Sequence, residues 1–212
     1  MTIYAINSLF KKEFDKSVRI EPLKEEYVRM DYSRAICDKV VLVDEDDGKK
    51  KYHIEFQTLN DRAIVIRMID YGFGIVIDGF DYNNFPKDSE ITIEFPSQIV
   101  IFLKKGPSIP NELRLNIKMP YTGEKIEYKV PTFKTWEHGL EYYKREELYI
   151  MFPLKVIDIS EYIEKIKSGK INEEEKKKRL EEAKKELIFL IEEIIEELNK
   201  KAIAAVSTYN NV

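Results

Sequence analysis

The sequence contains a single cysteine, no excess of basic residues and no long apolar run. Because Cys37 has no second thiol to pair with, no intrachain disulfide can form, which favours a reducing compartment. A free cysteine behaves as a small apolar residue, so we expect Cys37 to be buried. No apolar run approaches the roughly 18–20 residues of a membrane span, and Lys11, Lys12 and Glu13 interrupt the start where a signal peptide would lie. We therefore expect a cytoplasmic protein that does not associate with membranes.

The formal charge of −4 over 212 residues excludes a globally basic surface. This charge argues against tight, sequence-tolerant binding of nucleic acid, but it leaves room for an enzyme with a local basic track. With 43% apolar residues the chain has enough material for a core. Length and composition together predict one domain of ordinary size, or one domain with an appendage.

The composition changes near Asp158, which divides the chain into residues 1–158 and a charged helical extension over residues 159–212. In the extension, Ser160 is predicted to begin a short helix that ends at Gly169. A capping sequence at Asn172 predicts a long helix to about Ala205. Its apolar residues recur at steps of three and four, which is typical of a coiled-coil seam or of a helix packed on a core. A homo-oligomer formed through this helix is one expectation.

Residues 38–57 are predicted to form a β-hairpin around which the rest of the chain is organised. Val40 to Val43 is an apolar β-branched run, Tyr52 to Gln57 alternates in polarity, and an Asp-Asp-Gly turn signal at 46–48 separates them. The alternation places two sets of side chains on opposite faces, Tyr52, Ile54 and Phe56 on one and His53, Glu55 and Gln57 on the other.

Two registers are compatible with this turn, and both bring acidic side chains together. A turn centred on residues 46 and 47 places Asp38 opposite Glu55, whereas a turn centred on residues 47 and 48 places it opposite Gln57. Opposed side chains lie about 5 Å apart at Cβ and diagonal ones roughly 7–8 Å. Two carboxylates at that separation repel each other unless a proton or a cation lies between them, and Mg²⁺ takes oxygen ligands of this kind.

These residues carry a resemblance to a known family. Asp38 followed by Glu55-Phe56-Gln57 resembles the D…(D/E)xK signature of the PD-(D/E)xK nuclease superfamily, with glutamine at the place of lysine. Residues 53–57, 60–61, 67–71, 95–103 and 128–131 are together similar to the Rpn-type recombination-promoting nucleases, also called PD-(D/E)xK family transposases. The resemblance covers roughly residues 5–158. It departs from the family at Ile6 and Asn7, where relatives often carry a His-Asp pair.

The resemblance implies an α/β (α+β) fold, with a restriction-endonuclease-like mixed sheet flanked by helices and followed by the helical extension. It implies that Asp38, Glu55 and the backbone carbonyl of Phe56 bind Mg²⁺ or Mn²⁺. It further implies a metal-dependent DNA endonuclease connected with recombination or transposition. Asp38, Glu55 and Gln57 would be the catalytic residues, and Gln57 would orient water without the charge of a lysine, so slow hydrolysis is expected.

Several neighbouring residues are candidates for supporting roles. A basic set is expected to follow the DNA backbone, namely Lys49, Lys50, Lys51, Arg62 and Arg67. His53 and Tyr71 are candidates for lining the site. The alternatives are an amphipathic helix over about 61–77 with a solvated Arg67, and a partly exposed strand position for His53.

Two other functions remain open from the sequence. Gln57, Asn7 and the acidic balance favour a catalytically weak or inactive nuclease fold that serves as a binding or assembly module. A scaffold that oligomerises through the C-terminal helix is unrelated to nucleases. Elsewhere the pattern predicts a helix over 4–16, strands over 91–95 and 98–103, and a second hairpin over 114–119 and 125–130. The helix over about 61–77 is predicted to bury a stripe formed by Ile64, Met68, Ile69, Phe73 and Val76.

Overall fold

A six-stranded mixed sheet with helices against it forms the N-terminal part of the chain. The computed structural model describes residues 3–28, 34–58, 61, 63–78 and 92–209. Contacts divide the chain into two units, Met1–Lys134 and Thr135–Val212. The boundary predicted from composition, after Asp158, falls inside a helix of the second unit.

The described strands fall into two sheets, both within the first unit. The six-stranded sheet has the order β1-β4-β5-β6-β8-β7, and β2 pairs with β3 in a separate antiparallel ribbon. Pairing of β5 with β6 and of β6 with β8 is parallel, whereas the outer pairs are antiparallel. The strands are β1 (Ile20–Pro22), β2 (Glu26–Val28), β3 (Arg34–Ile36), β4 (Lys39–Glu45), β5 (Gly48–Gln57), β6 (Ser97–Phe102), β7 (Glu112–Lys118) and β8 (Lys125–Lys134).

The predicted hairpin is confirmed as β4 and β5. Asp46 and Asp47 occupy the turn, since Glu45 pairs with Gly48. Gly48 has a φ of 127°, a left-handed conformation that side chains with a Cβ rarely adopt, so glycine is required there. The second predicted hairpin is also confirmed, as β7 and β8.

Two helices cover opposite faces of the sheet, α1 (Ile3–Phe10) and α2 (Ile64–Ile77). Tyr52 of β5 packs edge-to-face on Phe10 of α1, with ring centroids 4.7 Å apart. The next residue, His53, packs in the same way on Tyr71 of α2 at 5.7 Å. Because successive strand residues point to opposite faces, α1 and α2 lie on different sides of the sheet.

Three α-helices belong to the second unit, α3 (Leu140–Arg145), α4 (Phe152–Ser168) and α5 (Glu173–Tyr209). Short 3-10 turns cover Thr135–Glu137 and Tyr149–Met151. Asn172 caps α5 as predicted, because its Oδ1 accepts a hydrogen bond from the Glu175 N–H at 2.7 Å. Ala183 and Ile194 of α5 are buried, as are Ile159 and Ile166 of α4.

Several predicted boundaries are wrong. Helix α1 ends at Phe10 rather than Lys16, because Lys11 turns to a φ of 54°. The strand predicted over 91–95 is not found, because residues 92–95 form no strand and residue 91 lies outside the described residues. Pro96, which has no N–H to donate, directly precedes β6. Helix α4 begins at Phe152 rather than Ser160, and Ser160 donates its hydroxyl to the Val156 carbonyl instead of capping.

The buried stripe of α2 is also partly wrong. Phe73 was expected in the core, but it is 43% exposed, whereas Tyr71 and Ile75 are buried. The ring of Phe73 instead packs edge-to-face on Phe95 at 5.0 Å. In the part of the chain that the structure describes, no helix is both long enough and apolar enough to cross a bilayer.

Candidate functional site

The two acids of the predicted signature meet at the end of the β4–β5 hairpin. Lys39 pairs with Ile54 and Val40 pairs with His53, so continuing the register places Asp38 opposite Glu55. This is the first of the two registers that the turn allowed. The site therefore lies near the carboxyl end of β5, the end at which sheets with parallel strands commonly bind ligands.

Backbone amides engage one oxygen of each acid. The Phe56 N–H donates to Asp38 Oδ2 at 2.7 Å, and the Asp38 N–H donates weakly to Glu55 Oε2 at 3.4 Å. Asp38 is exposed, whereas Glu55 is only 5% exposed. The pair thus spans the boundary between the protein interior and solvent, with Asp38 on the open side.

The ionised form of Asp38 is disfavoured in the folded protein. Partial burial raises the pKa of its carboxyl group, the hydrogen bond from the Phe56 N–H opposes that shift, and the charge of Glu55 adds to it. A cation close to both carboxylates would remove the repulsive part of this shift.

The oxygen atoms around the pair fit a hard divalent cation. Within the described residues, Asp38 Oδ1 and Glu55 Oε1 accept no hydrogen bond. Leu103 donates to the Gln57 carbonyl, so the backbone groups of Gln57 face β6, and those of Phe56 face the Asp38 side. Two carboxylates, the Phe56 carbonyl and water form the kind of oxygen set that Mg²⁺ binds.

The site does not contain a full set of protein ligands. Across the described ranges, no cluster of three or more His, Cys, Asp and Glu side chains is arranged to hold a metal ion. Mg²⁺ commonly keeps several waters and uses only one or two carboxylates, so a pair of acids is sufficient for it and insufficient for a structural zinc site.

Gln57, which stands at the lysine position of the signature, contacts a cation. Arg67 Nη2 of α2 donates to Gln57 Oε1 at 3.0 Å, and the same nitrogen lies 3.4 Å from Asp61 Oδ2. The Arg67 side chain is 38% exposed. Arg67 is therefore partly solvated, as the amphipathic-helix alternative expects, and its guanidinium group also contacts Gln57, two residues after Glu55.

The three hairpin lysines lie away from the acids. Lys50 and Glu55 are five residues apart on β5, which is about 17 Å along a strand. Lys49 lies 3.6 Å from Asp44, Lys50 contacts Glu94 at 2.5 Å, and Lys51 donates to the Ile75 carbonyl at 2.7 Å. They line a separate cavity of about 280 Å³. Arg62 lies outside the described residues.

His53 and Tyr71 are both buried on the α2 side of the sheet. His53 has no exposed surface, so the alternative of a partly exposed strand residue is wrong. Its Nε2 lies 3.5 Å from Glu55 Oε2, which places the imidazole behind the acid pair. Tyr71 contacts the imidazole ring and is 6% exposed, so it supports His53 rather than lining an open site.

Buried Gln98 and partly buried Tyr128 extend this group, and no role for either was predicted from the sequence. Gln98 Nε2 donates to the Met68 carbonyl at 2.8 Å and lies 2.9 Å from His53 Nδ1, while the Tyr128 hydroxyl donates to Gln98 Oε1. The available signal was a glutamine directly before the apolar run Ile99–Phe102. A buried amide in such a strand needs polar partners.

Asn7 has a structural role. Its Oδ1 accepts from the Phe14 N–H and its Nδ2 donates to the Phe14 carbonyl, both at 2.9 Å. The side chain therefore closes the turn after α1.

Cys37 is buried, as predicted.

Comparisons with protein-family models, with curated proteins and with solved structures each returned no match to this chain. The geometry of the site is therefore the basis for assigning a function.

Proposed function

We propose that the protein is a metal-dependent DNA endonuclease with a restriction-endonuclease-like core, related to the Rpn-type nucleases of the PD-(D/E)xK superfamily and connected with recombination or transposition. The observation that carries the proposal is the position of Asp38 opposite Glu55, with oxygen atoms of both acids and the Phe56 carbonyl on the same side of β5. The order of strands, with a hairpin followed by a parallel strand, supports it.

In this proposal, Asp38, Glu55 and the Phe56 carbonyl hold Mg²⁺ or Mn²⁺. When bound, the metal would activate a water molecule and offset the charge of the scissile phosphate. Gln57 accepts from Arg67 through Oε1, which leaves its amide hydrogens to orient a water or a phosphate oxygen. Arg67 supplies positive charge next to this position, in place of the lysine that the signature carries in relatives.

DNA is the proposed substrate, and its backbone would meet two groups of cations. Arg67 belongs to the site itself, because it touches Gln57. Lys49, Lys50 and Lys51 lie roughly 13–20 Å from Glu55 along β5, so they would contact phosphates distant from the scissile bond. Because of that distance, we expect their contribution to nicking to be smaller than that of Arg67, which contacts Gln57.

The deciding experiment is nicking of supercoiled plasmid by the pure protein with and without Mg²⁺ or Mn²⁺. Asp38→Asn and Glu55→Gln preserve shape and remove one negative charge each, and both should abolish metal-dependent nicking. Asp44→Asn is the matched control, since Asp44 lies on β4 away from the acid pair and its carboxylate lies 3.6 Å from the Lys49 ammonium group. Nicking that needs no metal, or that persists in Asp38→Asn, would overturn the proposal.

One observation favours the second candidate, an inactive nuclease fold that binds DNA or assembles. Asn7 is committed to the Phe14 backbone through both of its polar atoms, so this position provides no additional ligand. The inactive module predicts DNA binding that depends on Arg67 but no nicking with either metal. The same plasmid assay, read beside a DNA-binding titration of Arg67→Gln, therefore separates the two functions.

A homo-oligomer through α5 is the proposed assembly. Apolar side chains are exposed along one stripe of this helix, at spacings of three and four residues: Ile188, Ile191, Ile195 and Leu198. Phe189 beside them is 67% exposed. This spacing matches a coiled-coil seam, which buries such residues against a second helix.

A further inference from the structure

A buried relay of hydrogen bonds leads from β8 toward the acid pair. The Tyr128 hydroxyl donates to Gln98 Oε1, and Gln98 Nε2 donates to the Met68 carbonyl at 2.8 Å. The same Gln98 nitrogen lies 2.9 Å from His53 Nδ1. His53 has no exposed surface and Gln98 is 7% exposed, so water does not compete for the two bonds of the Gln98 amide nitrogen.

The relay fixes the orientation of the Gln98 amide. A backbone carbonyl can only accept a hydrogen bond, so the group of Gln98 that faces Met68 must be the NH₂. The second hydrogen of that NH₂ then points to His53 Nδ1, which must accept it. In a neutral imidazole, a nitrogen that accepts carries no proton, so the proton of His53 lies on Nε2.

The protonated nitrogen faces the candidate site. His53 Nε2 is buried and has no hydrogen-bond partner within the described residues. The carboxylate oxygen Glu55 Oε2 lies 3.5 Å from it, just beyond hydrogen-bond length. A buried N–H without a partner is costly, and a small rotation of the Glu55 side chain would satisfy it.

We propose that this relay holds His53 as the Nε2–H tautomer, and that His53 thereby positions the Glu55 carboxylate. His53 is a positioning residue for Glu55, and Gln98 is a positioning residue for His53. Neither touches substrate. The use of the positioned carboxylate as a metal ligand rests on the proposed function, whereas the tautomer and its contact with Glu55 do not.

The tautomer is measured directly by nitrogen-15 NMR of the full chain. His53 and His138 are the only histidines, so His138→Gln assigns the spectrum. We expect His53 to show a protonated Nε2 and an unprotonated Nδ1. In Gln98→Glu, an ionised carboxylate at 98 can only accept, so the proton should move to Nδ1. In Gln98→Met, which removes the donor without adding charge, the preference for Nε2–H should weaken.

A protonated Nδ1 in the wild-type protein would overturn the inference, and so would a folded Gln98→Met variant whose His53 keeps the wild-type tautomer ratio. Because the wild-type spectrum alone decides the tautomer, the test does not depend on whether the Gln98 variants fold. Tyr128→Phe, which leaves the Met68 bond in place, should retain Nε2–H.

Positioning of Glu55 is measured by calorimetric titration with Mn²⁺ alone, without DNA. His53→Phe keeps a ring against Tyr71 but removes the N–H, and affinity should fall about 10-fold to 100-fold, as is typical for groups that orient a ligand. His53→Gln restores an N–H at the end of the side chain and should recover part of that loss. Near-ultraviolet circular dichroism shows whether each variant keeps its tertiary packing.

The outcomes separate this inference from the proposed function. One outcome is that wild type binds Mn²⁺, that Glu55→Gln does not, and that folded His53→Phe binds as wild type does. In that case the positioning role is wrong and the proposed function stands. If wild type binds no Mn²⁺, the proposed metal chemistry fails, and the spectra decide the inference. Contact with Glu55 predicts that the His53 Nε2–H signal shifts in Glu55→Gln, and an unchanged signal would overturn the positioning role.

Discussion

At the scale of single residues, Asp38 has opposing requirements in the folded protein. Its Oδ2 needs to accept from the Phe56 N–H, but its charge lies close to that of Glu55 and is partly buried. Such conflicts between stability and charge are frequent at functional sites, because groups that bind a ligand are left without compensation when the ligand is absent.

We predict that Asp38→Asn stabilises the metal-free protein at neutral pH. The folded state raises the pKa of Asp38 above its ordinary value of 3.8. At a pH between the unfolded-state and folded-state pKa, the folded protein binds more protons than the unfolded chain, so its stability falls as pH rises. Asparagine cannot ionise and still accepts from the Phe56 N–H. Solvent screening at this exposed residue limits the gain to about 0.5 kcal/mol, roughly 1–2 °C in Tm.

Thermal unfolding across pH 3 to 8 measures this effect. The charge-dependent part of the stability difference between Asp38→Asn and wild type should vanish well below pH 3.8, where Asp38 is protonated in both states. It should grow as pH rises from 3.8 to the raised pKa of the folded protein and stay constant above it. A difference that is the same at all pH values would show that charge is not its cause.

Gln57 gives a second prediction, which concerns its contact with Arg67. Gln57→Lys removes the acceptor that Arg67 uses and places two cations together, so the unfolding free energy should fall by about 1–2 kcal/mol. The double variant Gln57→Lys/Arg67→Gln should recover stability, because glutamine at 67 can accept from the new ammonium group. Chemical denaturation of wild type, Gln57→Lys, Arg67→Gln and the double variant measures the coupling energy between positions 57 and 67.

A Gln57→Lys variant as stable as wild type would contradict the contact between Arg67 and Gln57. The same four proteins, tested for nicking, show whether a cation must come from position 57 or position 67.

At the scale of elements, the close packing of α2 on the segment before β6 depends on the absence of a side chain at Gly72. A Cβ added there would lie 2.1 Å from Phe95 Cε1, which real contacts do not permit. The Phe95 ring also meets Phe73 at 5.0 Å and Tyr128 at 6.0 Å, so it cannot move without disturbing other aromatic contacts.

We predict that Gly72→Ala destabilises the protein by about 1–2 kcal/mol, because overpacking outweighs the roughly 1 kcal/mol gained in helix propensity. In a Phe95→Ala background the space is open, so the same change should stabilise by up to about 1 kcal/mol. Gly139→Ala is the control, since nothing lies within 4 Å of its added Cβ. Equal effects of Gly72→Ala in both backgrounds would contradict the predicted contact.

At the scale of the whole molecule, the acids, Arg67 and the relay all belong to the first unit, while the exposed apolar stripe belongs to α5 of the second. The proposed metal site and the proposed oligomer interface therefore belong to different units of the chain. A change in the stripe should alter the mass in solution and leave the His53 tautomer unchanged.

We predict that Ile191→Gln combined with Ile195→Gln weakens self-association about tenfold or more, since each substitution removes an apolar contact from the seam. Glu192→Gln is the matched control, because it introduces the same side chain at an adjacent exposed position. Light scattering over a range of concentrations measures the mass. A wild-type protein that is monomeric throughout would remove the proposed assembly.

Much of the local structure was predictable, because its signals lie within short segments. Alternation and the Asp-Asp-Gly turn predicted β4 and β5, and apolar periodicity predicted α2 and α5. Predictions failed where an element meets partners that are distant in sequence. The buried face of α2 was misassigned at Phe73, because residues outside the helix decide which face is covered.

By itself, the sequence determined that Asp38 and Glu55 meet at the end of one hairpin, since a tight turn restricts pairing to two registers. Only the tertiary structure decided which register forms, that Arg67 reaches Gln57, and that Gln98 lies behind His53. The physical reason is that β5 and β6 are parallel strands separated by a helix, with His53 and Gln98 45 residues apart. A parallel pairing of that range leaves no local periodicity, so the buried relay is visible only once the sheet is assembled.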